Sequence, residues 1–403
     1  MTYDVSRVRA QYPALADGRA WLDGAAGTQV PEDVIAAMAD AMRAGVANQG
    51  GVFPAARRAD AIVDAARVAV ADLLNAPDPD CVVLGPSMSA LTYRFAGALG
   101  STWAPGDEIV VTEADHDANV RPWVQAAQRA GATVRFAPLD LQCGALPTDH
   151  VTGLLSGRTR LVAVTAASNL TGAAPDVETI TTAARRVGAL SYVDGVHHCP
   201  HVPVDVTALG ADLYVTSAHK WAGPHLAAVV AADPAVVAVV DPERPAPAPA
   251  TGPARFEQGT NPFPALAGLV AAVDHWAGLV PAEGGRRSRL VVSRSAAAEH
   301  GRALGERLWK GLGEMAHVHR YGPEVPRTPI ASFRIAGTAP ADVVVGLDRA
   351  GVNAWSGYAY AWEAAGALGV RDDGGLIRLN VNHYSEEWEV DRALEVVAAC
   401  GGG

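Results

Sequence analysis

The sequence predicts a large α/β domain with a mostly parallel sheet, followed by a smaller α+β domain, and three observations carry that expectation. Apolar runs of strand length alternate with helical patterns through much of the first 232 residues. The chain, at 403 residues, is longer than one hydrophobic core usually serves. A Pro/Ala-rich stretch, "DPERPAPAPATGP" at 241–253, then interrupts the alternation and reads as an extended, exposed connection.

Taken in order, Asp60 to Asn75 reads as an amphipathic helix and "CVVLG" as a short buried strand. The helix "SMSALTYRFAGAL", the strand "EIVVT", a helix around "VRPWVQAAQRAG" and the strand "TVRFAPL" follow. A short helix near "TDHVTGLLS" precedes the strand "RLVAVTAAS", and "VETITTAARRVG" leads to the strand "ALSYVDG". "DLYVTSA" and "LAAVVAA" complete the set. Continuous apolar strands alternating with helices describe a sheet covered on both faces. That places a large domain at 19–265. Beyond it, "PALAGLVAAVDHWAGLV" and "RSRLVVSRSAAAEHGRALGERLWKGLG" read as helices, then short strands ("IASFRIAG", "GLIRLNVN") mix with the helices "PADVVVGLDRAG" and "SEEWEVDRALEVVAAC". These make a small domain at 266–403, on which residues 1–18 are expected to pack.

Composition excludes several classes. Charged residues are 19% and hydrophobic ones 49%, so the chain has ample apolar surface for compact cores rather than disorder. The net charge of −11, with no basic stripe, argues against a nucleic-acid partner. No apolar run has the length of a membrane span; "AAVVAADPAVVAVVDP" comes nearest and is cut by Asp233 and Pro234. The N-terminus lacks a signal-peptide pattern, so the expected location is cytoplasmic. Four scattered cysteines form no disulfide framework, and "HHCPH" (His197, His198, Cys199, His201) crowds its ligands too tightly for a tetrahedral metal. No metal site is expected.

In open α/β sheets, ligands bind beyond the carboxyl ends of the strands. Those ends here carry particular residues. After "CVVLG", Ser87, Met88 and Ser89 open a helix whose free N–H groups can hold a phosphate. His116 follows "EIVVTEAD", Asn169 follows "RLVAVTAAS", and Asp194 ends an apolar run, where a carboxylate wants a cationic partner. The last end, "LYVTSAHKWAGPH", gives Ser217, His219 and Lys220. Thirty of the 32 basic residues are arginine and only Lys220 and Lys310 are lysine. An amine, unlike a guanidinium, can lose its proton and attack a carbonyl to form a Schiff base. Lys310, on an amphipathic helix, reads as a solvated charge. Schiff-base lysine, acid for a ring nitrogen, stacking histidine and phosphate-binding helix terminus together are the inventory for pyridoxal 5'-phosphate.

From "WLDGAAGTQVP" to "RLNVNHYSEEWEVDRAL" the chain resembles the class V aminotransferase family of fold-type I pyridoxal-phosphate enzymes, near the cysteine desulfurases and isopenicillin N epimerase-like proteins. The motifs "DHDAN", "SNLTG", "VDGVHH", "SAHKWAGP" and "FEQGTNP" carry the resemblance. It implies that Lys220 holds the cofactor, Asp194 pairs with the pyridine nitrogen and His116 stacks on the ring. Asn169 and His197 would lie near the ring hydroxyl, with glutamine at the latter position in many relatives. Ser217, His219 and the backbone at Ser87 and Met88 would hold the phosphate. Gly259 and Thr260 match residues that reach the phosphate of a neighbouring subunit, which implies a homodimer with shared sites. Arg378 matches the arginine that grips the substrate carboxylate.

The pattern breaks in "NAWSGYAYAW": the persulfide cysteine of desulfurases falls on or near Tyr360, and their loop arginine on Trp355. No cysteine lies between Cys199 and Cys400, and a phenol cannot form a persulfide. Tyr358 and Tyr360 read as acids or pocket walls, and equally as loop aromatics that merely pack. The expected activity is a lyase reaction on a small amino acid, cleaving a C–S bond by β-elimination without a persulfide cysteine; aminotransfer and epimerisation are the alternatives. A cofactor-holding protein without turnover is the contrasting non-enzyme reading, and retention of Lys220 argues against it.

Overall fold

The computed structural model describes residues 3–400. Its centre is a seven-stranded sheet in the spatial order Val82–Gly85, Ala227–Ala231, Leu213–Ser217, Leu190–Asp194, Thr159–Thr165, Glu108–Thr112, Thr133–Ala137. All neighbouring pairs are parallel except the two made by Ala227–Ala231, which runs antiparallel to both of its neighbours. The connection from Ser217 to Ala227 is too short for a crossover, so the chain must reverse there. Strands such as Leu213–Ser217 are buried throughout, as a sheet covered on both faces requires.

The helix expected from Asp60 begins at Pro54, with proline in the first turn and no side-chain cap at Phe53. The missing cap signal hid its true start. Its other end is as expected: Asn75 closes it in the left-handed conformation, φ 57°.

A second, four-stranded antiparallel sheet orders Trp355–Gly357, Leu376–Asn380, Ile330–Ile335 and Val318–Tyr321. Leu304, Leu308, Phe333, Ile377, Leu379 and Val390 form its core. The large core reaches past residue 265, because helix Phe263–Ala277 buries Leu266, Leu269, Val273 and Trp276 in it. The two cores therefore part along the long helix Arg286–Gly313, which gives Leu290 and Ala297 to the first and Leu304, Leu308 and Leu312 to the second.

The N-terminal segment bridges both. Val8, Tyr12 and Leu15 enter the large core, while Arg9 pairs with Glu389 at 2.8 Å and the Tyr3 hydroxyl donates to the His383 carbonyl. Residues 241–252 carry no regular structure, matching the Pro/Ala-rich reading. Among the described residues no helix is long and apolar enough to cross a membrane, and no cluster has the make-up of a metal site. Lys310 is exposed on the long helix, 4.0 Å from Glu314.

Candidate active site

Five strand ends converge on one cleft between the sheet and the small domain. The turn after Leu213–Ser217 carries Lys220, and residues 25–28 clasp it: Lys220 Nζ donates to the Ala25 carbonyl at 2.5 Å, and Thr28 N donates to the His219 carbonyl at 2.8 Å. Ala222 N closes the clasp on Thr28 Oγ1, with Ala222 itself at φ 67°. Desolvation, then the positive charge of Arg378, lower the Lys220 pKa to about 7, against a smaller opposing pull from Asp194. Burial and Arg378 thus favour the unprotonated amine far more than water does.

Asp194 ends its strand fully buried, and burial pushes its pKa up to about 6, against a hydrogen bond from Val196 N at 2.9 Å and the nearby charge of Lys220. Gly195 follows because a Cβ there would lie 1.8 Å from Tyr214 Cζ. That close approach lets the Tyr214 ring support the 195–199 turn, and its hydroxyl meets His198 Nδ1 at 3.1 Å. His197, on the same turn, is buried and held neutral by burial, then by Lys220 and Arg378.

His116 caps the short turn 117–119, its Nδ1 accepting from Ala118 N at 3.0 Å. Burial, then Lys220, lower its pKa to about 4, so it presents a neutral ring. Asn169 donates through Nδ2 to the Ala359 carbonyl at 2.6 Å, while its Oδ1 is buried with no partner among the described residues. A buried acceptor left unpaired is costly and marks a place for a donor from a bound group. Arg378 is buried and donates through Nη1 to the Asn169 carbonyl at 2.7 Å. That is its one hydrogen bond to the described residues, and the nearby charge of Asp23 also acts on it.

Ser87 caps helix Met88–Gly100, its Oγ accepting from Ala90 N at 3.1 Å, which leaves the first backbone N–H groups of Met88 and Ser89 facing the strand ends. Ser217 is buried at its strand terminus, and His219 stacks on His225 at 4.6 Å. Gly259 and Thr260 are not brought to this cleft. Thr260 instead lines a cavity of about 1250 Å³ on the outer face of helix Met88–Gly100, with Tyr93, Arg94, Arg129 and Glu243.

The loop 357–361 lies over the cleft. Ala359 and Tyr360 both adopt positive φ, 50° and 59°, a costly conformation for residues with a Cβ. Two ties hold it: Asn169 Nδ2 on the Ala359 carbonyl, and Asp117 N on the Tyr360 carbonyl at 2.8 Å. The Tyr360 ring stacks on His116, 5.4 Å between centroids and 15° between planes. Tyr358 packs edge-on against Trp362 at 5.8 Å.

Asp115 is a site neighbour whose importance sequence reading missed, although it lies in the "DHDAN" motif. It is fully buried, accepts from Thr112 Oγ1 and from Asn119 Nδ2 (2.7 Å), and burial followed by the charge of Asp194 raises its pKa to about 8. Folded protein thus holds this proton over a pH range where the unfolded carboxyl, ordinarily at 3.8, has released it. The stability that follows is complete below about 4 and is lost as pH rises toward 8. Asp115→Asn removes that loss. Thermal melts at pH 5 and pH 8 should show the variant gaining on the parent as pH rises; a constant gap would show that Asp115 is ionised in the folded state.

A mostly parallel sheet with a buried, partly unprotonated lysine and a buried carboxylate at its strand ends defines a fold-type I pyridoxal-phosphate enzyme. The aminotransferase class-V family model matches residues 20–393, and the chain belongs to that family. An uncharacterized protein of Mycobacterium tuberculosis is 38% identical over the full length of both chains. A cysteine desulfurase of Pectobacterium carotovorum is 30% identical over 98% of this chain and 97% of its own. The solved structure of the Escherichia coli cysteine desulfurase CsdA superposes with a TM-score of 0.86 at 27% identity, covering 99% of this chain and 98% of that one.

Proposed function

We propose that this protein cleaves the Cβ–S bond of a small amino-acid substrate by β-elimination, using pyridoxal 5'-phosphate and no persulfide cysteine. The observation that carries the reading is the loop over the cleft: it offers Tyr360, stacked on His116, and no thiol. Cys199 is fully buried, and Cys400 closes the C-terminal helix.

The residues present fit the cofactor. Asn169 Oδ1 has the unpaired acceptor that a ring hydroxyl would satisfy, and Asp194 has one oxygen bonded to Val196 N and the other available to a ring N–H. His197 lies beside them, His116 supplies a neutral face for stacking, and Ser87, Met88, Ser89, Ser217 and His219 surround the phosphate position. Bound there, pyridoxal phosphate supplies a carbonyl for the amine and a ring that withdraws electrons from the substrate's Cα. Lys220, able to exist as a free amine at neutral pH, first holds the cofactor and then takes the Cα proton. Arg378 orients the substrate by its carboxylate, and Tyr360 or water gives a proton to the departing sulfur. Thr260, which lines the cavity beside helix Met88–Gly100, and its neighbour Gly259 serve the phosphate of a second copy in a homodimer.

The visible spectrum of holoenzyme, followed during addition of L-cysteine or L-alanine with pyruvate and sulfide assayed together, tests the reading. Pyruvate and sulfide accumulating over many turnovers from cysteine, with the lysine-bound absorption persisting, is the expected result. Stoichiometric bleaching reversed by a keto acid identifies an aminotransferase instead. Tyr360→Phe should lower the elimination rate by about 10²-fold if the phenol is the acid. An unchanged rate assigns that proton to water and leaves Tyr360 as a wall.

A further inference from the structure

The small sheet presents one row of residues to the cleft. Arg378 is paired with Ser332 on one side and with Trp355 on the other, and directly paired residues of antiparallel strands project to the same face. Ser332 Oγ donates to the Leu170 carbonyl and Arg378 Nη1 to the Asn169 carbonyl, so this face looks onto the 168–172 turn at the cleft. Trp355 is the third member of the row, 53% exposed. Tyr360, 70% exposed, is held nearby by the two loop ties on Asn169 and Asp117.

Large aromatic surfaces left open beside a guanidinium can receive a flat group by stacking or edge contact. Charged groups around the loop are already occupied with one another. Arg121 pairs with Asp117 at 2.8 Å and with Glu363 at 2.7 Å, and Arg371 stacks on Trp362 at 4.2 Å. Beyond the carboxylate held at Arg378, a substrate side chain therefore meets aromatic faces and a phenol.

We infer that the cleft takes cysteine thioethers whose sulfur carries a flat, uncharged group, and that this group lies against Trp355 and Tyr360. The inference rests on the elimination reading above and names its substrate class. The step balances without any oxidant or sulfur acceptor. The Cα proton passes to Lys220, the Cβ–S bond breaks with its electron pair on sulfur, and the sulfur takes a proton to leave as a thiol. Water then converts the three-carbon remainder to pyruvate and ammonium. Because a thiol leaves whole, no persulfide-forming cysteine is required.

Holoenzyme titrated with S-phenyl-L-cysteine, S-carboxymethyl-L-cysteine and L-cysteine, with binding read from tryptophan fluorescence and cofactor absorption, tests it. S-phenyl-L-cysteine should bind at least about tenfold more tightly than either other ligand and yield thiophenol and pyruvate in equal amounts. Trp355→Ala should abolish the preference and Trp355→Phe should retain it. Equal affinities, a preference for the carboxymethyl compound, or a preference that survives Trp355→Ala overturns the aromatic wall. Tight, Trp355-dependent binding with neither thiol nor pyruvate released upholds the wall and overturns elimination. Failure of all three amino acids to bind overturns both.

Discussion

Lys220→Ala should give a protein that folds normally, keeps no lysine-bound absorption after dialysis, and turns over at least about 10³-fold more slowly than the parent. The size follows from the two duties that the proposed reaction puts on one atom: Nζ would hold the cofactor and move the Cα proton. Lys220→Arg makes the sharper comparison. It keeps a positive charge in the cleft but cannot deprotonate, so it should fail as completely as alanine. Recovery of more than a tenth of the parent turnover in the arginine variant would show that charge, not the amine, is what the position supplies. Folding is not at stake, because the 25–28 clasp is made mainly by backbone groups of residues 219 and 222.

Asp194→Asn should lower turnover by about 10²–10³-fold with little loss of folded stability. In the proposed site the buried Asp194 carboxylate would favour a protonated ring nitrogen, and an amide of the same shape cannot do so. A second readout separates this role from packing. Asp194 supports the charged form of Lys220, whose pKa is already lowered to about 7, so the substitution should move it lower still. The pH at which the apo protein begins to capture pyridoxal phosphate should then shift downward. An upward shift, or none, would show that the two groups do not interact across the cleft.

The reactive residues were legible because their residue types conflict with their local surroundings. A lysine in an arginine-rich chain and an acid ending an apolar strand both demand a chemical reason, and both lie where the α/β rule places ligands. Asp115 was not legible as a proton holder, since its burial depends on Thr112 and Asn119 closing over it. The start of helix Pro54–Leu74 escaped because Phe53 offers no capping side chain. Helix Phe263–Ala277 spans the border drawn at 265 and packs into the first core, a choice made by contacts remote in the chain.

What the sequence by itself determined is the succession of strands and helices, the amine, the carboxylate and the family, all written in local period and residue type. Tertiary structure alone decided three things. It paired the strand Ala227–Ala231 with the remote strand Val82–Gly85, clasped the lysine turn with residues 25–28, and set Trp355 beside Arg378. Each depends on strand register or on contacts between segments remote in the chain, and a slip of one residue would turn Trp355 to the opposite face of its sheet.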